Sequence, residues 1–531
     1  MNQKLNVLEY LEESARHHPN HCAIIDESGA YSYKELLESS KRAGVALARF
    51  GATGRAVVIV SKKSFSTLIA MLGTLYAGGF YVPVDPNAPV KRIRNICSAL
   101  NNPLVIDGRK SNADFLTRNR QEDLCLGAKT VVHLDSLFVS CTLNDTLSPN
   151  QIKENDELLA NIRLSSIDVD PVYILFTSGT TGKPKGVVVH HKAVLSFIDS
   201  FVATFDIRGD DRIANQAPFD FDVSVKDIYG ALAVGATLIL IPRTLFSKPF
   251  ELAKYLEIKN VTVMIWAVAA LCLMTTLHAL DGHDLSSVRM VLFSGEIMPK
   301  RHLDRWMKVL HEAKFVNLYG PSEIICNCMY HVVDRNRTYP YGIPLGTAFA
   351  NREVFLLKDD GNLATEVGDV GEIYVRGSSL ASGYVGMLNS QKNVSESFGF
   401  VQNPRNNLYT DPVYRTGDYA EILEGGEILY RGRRDNQIKH QGHRIELEEI
   451  DRTVERQDGV TRCRSVYDHK RNRLLAFYEG NVDEVLLAQK LRNRLPRFMV
   501  PSKVMMVTGM PLTKNGKVDR VQLMEESYIH G

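Results

Sequence analysis

Residues 173–186 read Y-I-L-F-T-S-G-T-T-G-K-P-K-G, a run of residue types that could bind phosphate. The apolar stretch from Val172 to Phe176 has the composition of a buried strand. It gives way to Thr177, Ser178, Thr180 and Thr181, whose hydroxyls can donate hydrogen bonds. Gly179, Gly182 and Gly186 let backbone N–H groups come close to a ligand. Lys183 and Lys185 add positive charge. Many short donors, little bulk and net positive potential suit a polyphosphate. A Walker A turn requires G-x-x-x-x-G-K-[ST], but here Gly179 and Gly182 are three apart and Pro184 follows Lys183. The loop therefore points to ATP held in a non-Walker way. A polar surface turn is the bland alternative, and such turns rarely follow a buried strand with this many donors.

The elements around the loop alternate. Strand-like segments at 23–26, 56–60 and 80–84 are separated by helix-like segments at 34–50 and 64–77. Further strands are expected at 212–217, 237–242, 261–266, 290–294 and 314–318, with helical stretches between them. This pattern predicts an α/β protein with largely parallel sheets. Residues 144–156 are polar and read as an irregular exposed connection. From Gly371 the chain becomes β-rich, with strands at 372–376, 420–423 and 427–431 around a Gly425-Gly426 turn. Charge density then rises, and a compact β/α segment follows a boundary near Asp435.

Composition narrows the function. A chain of 531 residues exceeds what one hydrophobic core serves, so several domains are expected. A net charge of +2 gives no reason to invoke nucleic acid or an acidic membrane surface. No apolar run reaches membrane-spanning length. Residues 1–19 place Leu5, Val7, Leu8 and Leu11 among charges, as an amphipathic helix does and a signal peptide does not. The closest of the eight cysteines, Cys326 and Cys328, have no second pair to complete a zinc site. Reduced, mostly buried thiols and a cytoplasmic setting are expected.

Ten short motifs occur in one order along nearly the whole chain. They begin with Y-S-Y-K-E-L at 31–36, L-Y-A-G-G-F-Y-V-P-V-D at 75–85, the loop above, F-D-F-D-V-S at 219–224 and N-L-Y-G-P-S-E at 317–323. They continue with G-E-I-Y-V-R-G at 371–377, Y-R-T-G-D at 414–418, G-R-R-D-N-Q-I-K at 432–439, L-P-R-F-M-V-P at 495–501 and N-G-K-V-D-R at 515–520. In these the chain resembles the adenylate-forming enzymes. Specifically, it is similar to stand-alone amino-acid adenylation domains of the nonribosomal peptide synthetase type, close to D-alanine–carrier-protein ligases.

The resemblance implies a large N-terminal core over residues 1–434, with parallel-type sheets, helices and a β-barrel-like subdomain. A small mobile α+β C-terminal lobe would cover 435–531, hinged at Asp435. It implies that a carboxylate attacks ATP to give an acyl-adenylate and pyrophosphate, and that the acyl group then passes to a thiol. Lys517 would bridge the carboxylate and the α-phosphate, as a mobile point charge can. Thr177, Ser178, Gly179, Thr180, Thr181, Gly182, Lys183 and Lys185 would hold the phosphates. Asp418 would accept both ribose hydroxyls and Arg433 would contact the ribose and phosphate side. Tyr319 would stack on adenine, Asn317 would read its amino edge, and Ser322 keeps a hydroxyl where the family has Thr. Glu323 would associate with Mg²⁺. Lys439 would face the site in the thioester-forming state. His190 stands where an acid is common in the family, and a structural role is expected for it.

Asp222 bears on substrate class. The resemblance makes it the partner of an α-ammonium, although D-V-S-V-K-D is also a good helix start, with Asp222 as its cap. The remaining pocket positions carried over are Val223, Lys226, Ile265, Leu292, Ser294, Leu318, Cys326 and Asn327. Lys226 either faces the pocket, wanting a strongly accepting or anionic side chain, or turns to solvent. A small polar, serine-like amino acid is the first expectation and an acidic one the second. The partner implied is a separate phosphopantetheinylated carrier protein. An acyl- or aryl-coenzyme A ligase is the alternative, against which Asp222 speaks.

Overall fold

The computed structural model describes residues 4–109, 130–134, 137, 148–177, 184–386, 399–433, 437–469, 471–512 and 518–529. Ser178, Gly179, Thr180, Thr181, Gly182, Lys183, Asp435 and Lys517 lie outside the described residues.

Two sheets with parallel centres carry the first two-thirds of the chain. One has nine strands in the order Thr347–Ala348, Met329–Val332, Lys314–Tyr319, Met290–Ser294, Val263–Ala267, Arg212–Asn215, Thr237–Leu240, Cys22–Ile25, Ala30–Ser32. The other has seven, in the order Gly383–Tyr384, Lys185–His190, Pro171–Thr177, Phe80–Val84, Ala56–Val60, Leu104–Asp107, Thr130–His133. Their central strands are mostly apolar, as strands buried on both faces are, with Arg212 and Asn215 at the ends of one. Alternate residues divide between cores. Val57, Ile59, Ile265, Leu292 and Val316 join one cluster between the sheets, with the nearly all-apolar helix Phe65–Tyr76. Met264, Trp266, Val291 and Phe293 face a second cluster, and Val58, Val60 and Val82 a third.

Two local readings change. The irregular connection expected at 144–156 overlaps a helix, Pro149–Ser165. No residue of the helix is fully buried and Leu159 packs only partly on the core, so its apolar face is weak in sequence. Its start was readable: Ser148 and Gln151 exchange side-chain and backbone bonds in a capping box, with Pro149 next in line. The phosphate-loop segment is also bounded by two strands. Pro171–Thr177 pairs antiparallel with Lys185–His190, Thr177 opposite Lys185.

The β-rich subdomain is a five-stranded antiparallel sheet of Arg352–Leu357, Val370–Gly377, Pro412–Ile422, Phe400–Gln402 and Ile428–Arg433. Beyond it, residues from Ile438 onward build their own apolar clusters around the sheet of Val460–Asp468, Arg473–Gly480 and Lys503–Met506. The two-stranded hairpin Gln437–His440 and His443–Glu446 projects from this lobe onto the core. The amphipathic N-terminal segment forms the helix Leu8–His17. No described helix is long and apolar enough to cross a membrane.

Candidate active site

The carboxyl ends of the central parallel strands gather the expected pocket residues, at the position where open α/β sheets bind ligands. Ile265 pairs in register with Leu292, and Ser294 with Leu318. The helix Val223–Val234 begins across from them. Asp222 precedes it at the cap position, with φ −60° and ψ −28°, but its side chain makes no cap hydrogen bond. The carboxyl instead lies near Ser322, Lys226, Lys439 and Glu323; burial raises its pKa. The cap reading thus loses its hydrogen bond.

Lys226, one helical turn on, does not turn to solvent. It is 0% exposed, and its Nζ donates to Asn327 Oδ1 at 2.6 Å. Burial pushes its pKa down, against the pull of Cys326, Asp227 and Asp222. The opposing wall comes from a tight backbone reversal. Ile325 and Cys326 both hold positive φ, 53° and 57°, which is costly for a β-branched residue. Asn327 N bonds Ile325 O at 2.6 Å, and Cys326 Sγ donates to the Asp222 carbonyl at 3.0 Å. A Cβ at Gly320 would lie 2.6 Å from Asn327 Cα, so glycine permits this approach.

A second corner forms where the β-rich subdomain meets the sheet. Tyr319 donates to Asp418 Oδ2 at 2.6 Å, and Arg433 Nη1 donates to Asp418 Oδ1 at 2.6 Å and to Thr416 O at 3.0 Å. Asp418 and Arg433 face each other across paired strands. Asn317 lies on the same strand as Tyr319 and donates to Pro344 O at 2.9 Å. Thr177 and Lys185 flank the phosphate-loop segment, and Lys185 Nζ sits 5.9 Å from the Tyr384 ring centroid.

The C-terminal hairpin closes over both corners. Lys439 Nζ lies 5.7 Å from the Tyr319 ring centroid; burial lowers its pKa, while Asp418 supports its charge. Gly442 N donates to Glu296 Oε1 at 3.0 Å. His443 stacks on Phe498 at 3.6 Å and meets Phe221 edge-on at 4.4 Å. Arg444 Nη1 donates to both oxygens of Glu323, at 3.1 and 2.9 Å, and Tyr384 donates to Oε1 at 2.5 Å. Burial would raise the Glu323 pKa, but Arg444 and the tyrosine hydroxyls bring it below the ordinary value.

Arg444, Tyr384, Glu296 and His443 were missed in sequence. A signal for Arg444 existed: a buried glutamate needs a cation, and an arginine stands two residues past Gly442. His190 proves structural, its Nδ1 accepting from Ala193 N at 3.0 Å as a helix cap.

The Glu323 carboxylate suits a hard cation chemically, since Mg²⁺ takes carboxylate oxygens together with phosphate oxygens and water. In this arrangement the carboxylate is already engaged on both oxygens.

Comparison with known proteins agrees with this layout. Bacitracin synthase 1 of Bacillus licheniformis is 31% identical over 98% of this chain, which spans only 9% of that relative. A D-alanine--D-alanyl carrier protein ligase of Bacillus cytotoxicus is 28% identical over 98% of this chain and 99% of its own length. The structure of holo-PA1221, an NRPS protein containing adenylation and PCP domains bound to a vinylsulfonamide inhibitor, superposes with a TM-score of 0.79 at 25% identity, covering 98% of this chain and 84% of that one. The family described as AMP-binding enzyme matches residues 11–385, which hold both sheets and the Asp222 pocket. The chain belongs to the AMP-binding enzyme family.

Proposed function

We propose that the chain joins an α-amino acid to ATP, releasing pyrophosphate, and then passes the aminoacyl group to the phosphopantetheine thiol of a separate carrier protein. The observation that carries this reading is the Asp222 carboxyl, which makes no side-chain cap hydrogen bond and lies near Lys226 and Ser322. A substrate ammonium is the partner such a carboxylate wants. The D-alanine--carrier protein ligase relative supports the second step.

In the first step a carboxylate oxygen attacks the α-phosphorus and the bond to the β-phosphate oxygen breaks. Two anions meet, so charge neutralisation and positioning dominate. Asp418, bridging Tyr319 and Arg433, would accept the ribose hydroxyls, with Tyr319 against adenine and Asn317 at its edge. Thr177, Lys185, Ser322 and the residues between 178 and 183 would take the phosphates, and Lys517 would bridge the reacting groups. Bound Mg²⁺, held by Glu323, would neutralise phosphate charge. In the second step the thiolate attacks the acyl carbon and AMP leaves. The hairpin at the site, with Lys439 inside it, supports reading the present arrangement as the one for thiol transfer. The lobe division at 434/435 and the hinge at Asp435 belong to this reading, as does a cytoplasmic setting.

Lys226 narrows the side chain. Its ammonium carries three N–H donors, one of which goes to Asn327. The remaining donors favour a substrate side chain that accepts hydrogen bonds, either a hydroxyl or a carboxylate. Val223, Ile265, Leu292, Ser294, Leu318 and Cys326 would form the rest of the pocket. Amino-acid-dependent ATP–pyrophosphate exchange tests the reading: it predicts exchange with an amino acid of this kind. Equal exchange with the matching acid that lacks the ammonium would overturn it.

A further inference from the structure

Glu323 is 1% exposed, and its carboxylate already has a cation in this arrangement of the two lobes. That cation is delivered by the C-terminal lobe. Arg444 lies on the strand His443–Glu446, whose turn is fixed to the core through Gly442 N and Glu296. Glu323 belongs to the core: its 3₁₀ turn Ser322–Ile324 is held by a bond from Ala381 N to Glu323 O at 2.9 Å. If the lobe moves, Arg444 leaves and Glu323 stays.

A buried carboxylate left without a cation is strongly destabilised, so some positive charge must be present in each lobe arrangement. Mg²⁺ approaches carboxylate oxygens to about 2.0–2.1 Å. The Arg444 nitrogen lies 2.9 Å from one oxygen and 3.1 Å from the other, on the bidentate face. Two cations on one carboxylate, in a site shielded from water, repel at close range. The Tyr384 hydroxyl also holds Oε1, at 2.5 Å.

Resting on the amino-acid-activation reading, we propose that Arg444 takes the divalent cation's place at Glu323 when the hairpin docks. Departure of the cation with pyrophosphate and arrival of the hairpin are then one exchange at one carboxylate. Arg444 is a positioning residue: it commits the lobe to the thiol-transfer arrangement only after the metal has gone. While the metal is bound, docking is held off, and this imposes the order of the two half-reactions.

Hydrogen–deuterium exchange on the full chain tests this, with α,β-methylene-ATP as the nucleotide and MgCl₂ or EDTA as the variable. In the wild type, saturating Mg²⁺ should speed amide exchange at 437–446 by about ten-fold over EDTA. In Arg444→Met the hairpin should exchange at the faster rate already in EDTA and respond little to metal. Arg444→Lys, which keeps the charge, should regain part of the response. A merely structural ion pair would loosen the hairpin in Arg444→Met without altering the metal requirement. The exchange mechanism instead predicts that the Mg²⁺ concentration giving half-maximal nucleotide binding, read by calorimetry, falls about five-fold in that variant. Wild-type hairpin protection that is indifferent to Mg²⁺, while the nucleotide binds, would overturn the proposal alone. No binding of the nucleotide at all would overturn both the proposal and the functional reading beneath it.

Discussion

Under the proposed function, Asp222 is the residue that sets the substrate class. Asp222→Ala should raise the amino-acid KM by roughly 10²–10³-fold, the effect of losing one partner of a desolvated charge pair worth about 3–4 kcal/mol. Binding of an ATP analogue, measured by calorimetry, should change little. The pH dependence follows from the same group. Burial raises the Asp222 pKa, so it takes up a proton at higher pH than an ordinary carboxylate. Only the ionised form pairs with an ammonium, so the amino-acid KM should climb as pH falls, beginning above the usual carboxylate range. A KM flat down to that range in initial-rate measurements would contradict the assignment. Lys226→Met should shift the exchange profile toward apolar amino acids by about ten-fold in kcat/KM, near 1.4 kcal/mol. The motif at 219–224 singled out Asp222 and, by register, Lys226. Their orientation was not legible, because a helix-start aspartate and a surface lysine look the same in sequence. The absent cap bond and the Lys226–Asn327 contact separate those readings.

At the scale of elements, the hairpin and the segments outside the described residues carry the account. Lys517→Ala should abolish pyrophosphate exchange while leaving the melting temperature close to wild type; full exchange in the purified variant would contradict its role. Asp435→Pro should keep exchange and lose transfer to a phosphopantetheinylated carrier, because proline fixes φ near −65° and resists rotation at a hinge. Equal loss of both half-reactions would indicate a damaged fold, and equal retention a hinge elsewhere. The parallel strands were readable because burial on both faces leaves them apolar, as at Met290–Ser294. Helix Pro149–Ser165 was not, because none of its residues is fully buried and its capping box is its clearest mark. The second strand of the phosphate hairpin was passed over because its Lys185-Gly186 start read as loop chemistry. Arg444 escaped because its partner, Glu323, lies 121 positions away.

Across the whole molecule, lobe docking should respond to pH. His443 packs between Phe221 of the core and Phe498 of its own lobe, with Arg92 and Arg243 nearby, and this burial lowers its pKa from 6.5 to about 3. The docked lobe favours neutral His443, so docking is fully supported above the ordinary pKa and weakens as pH falls below it. The loss should be at most about 1.4 kcal/mol per pH unit, since Phe498 keeps part of the burial in the undocked lobe. Small-angle scattering of the apo chain should detect a larger radius of gyration near pH 5 than at pH 7.5, and His443→Phe should flatten the difference. The central claim, however, is that an α-amino acid with an accepting side chain is the substrate, and one measurement tests it most directly. Purified full-length protein is assayed for ATP–pyrophosphate exchange against the proteinogenic amino acids, in both stereoisomers, beside their des-amino analogues. The account predicts strong exchange with one or a few hydroxyl- or carboxylate-bearing amino acids and background exchange with the des-amino acids. Exchange that ignores the ammonium, or that no amino acid supports, would contradict it.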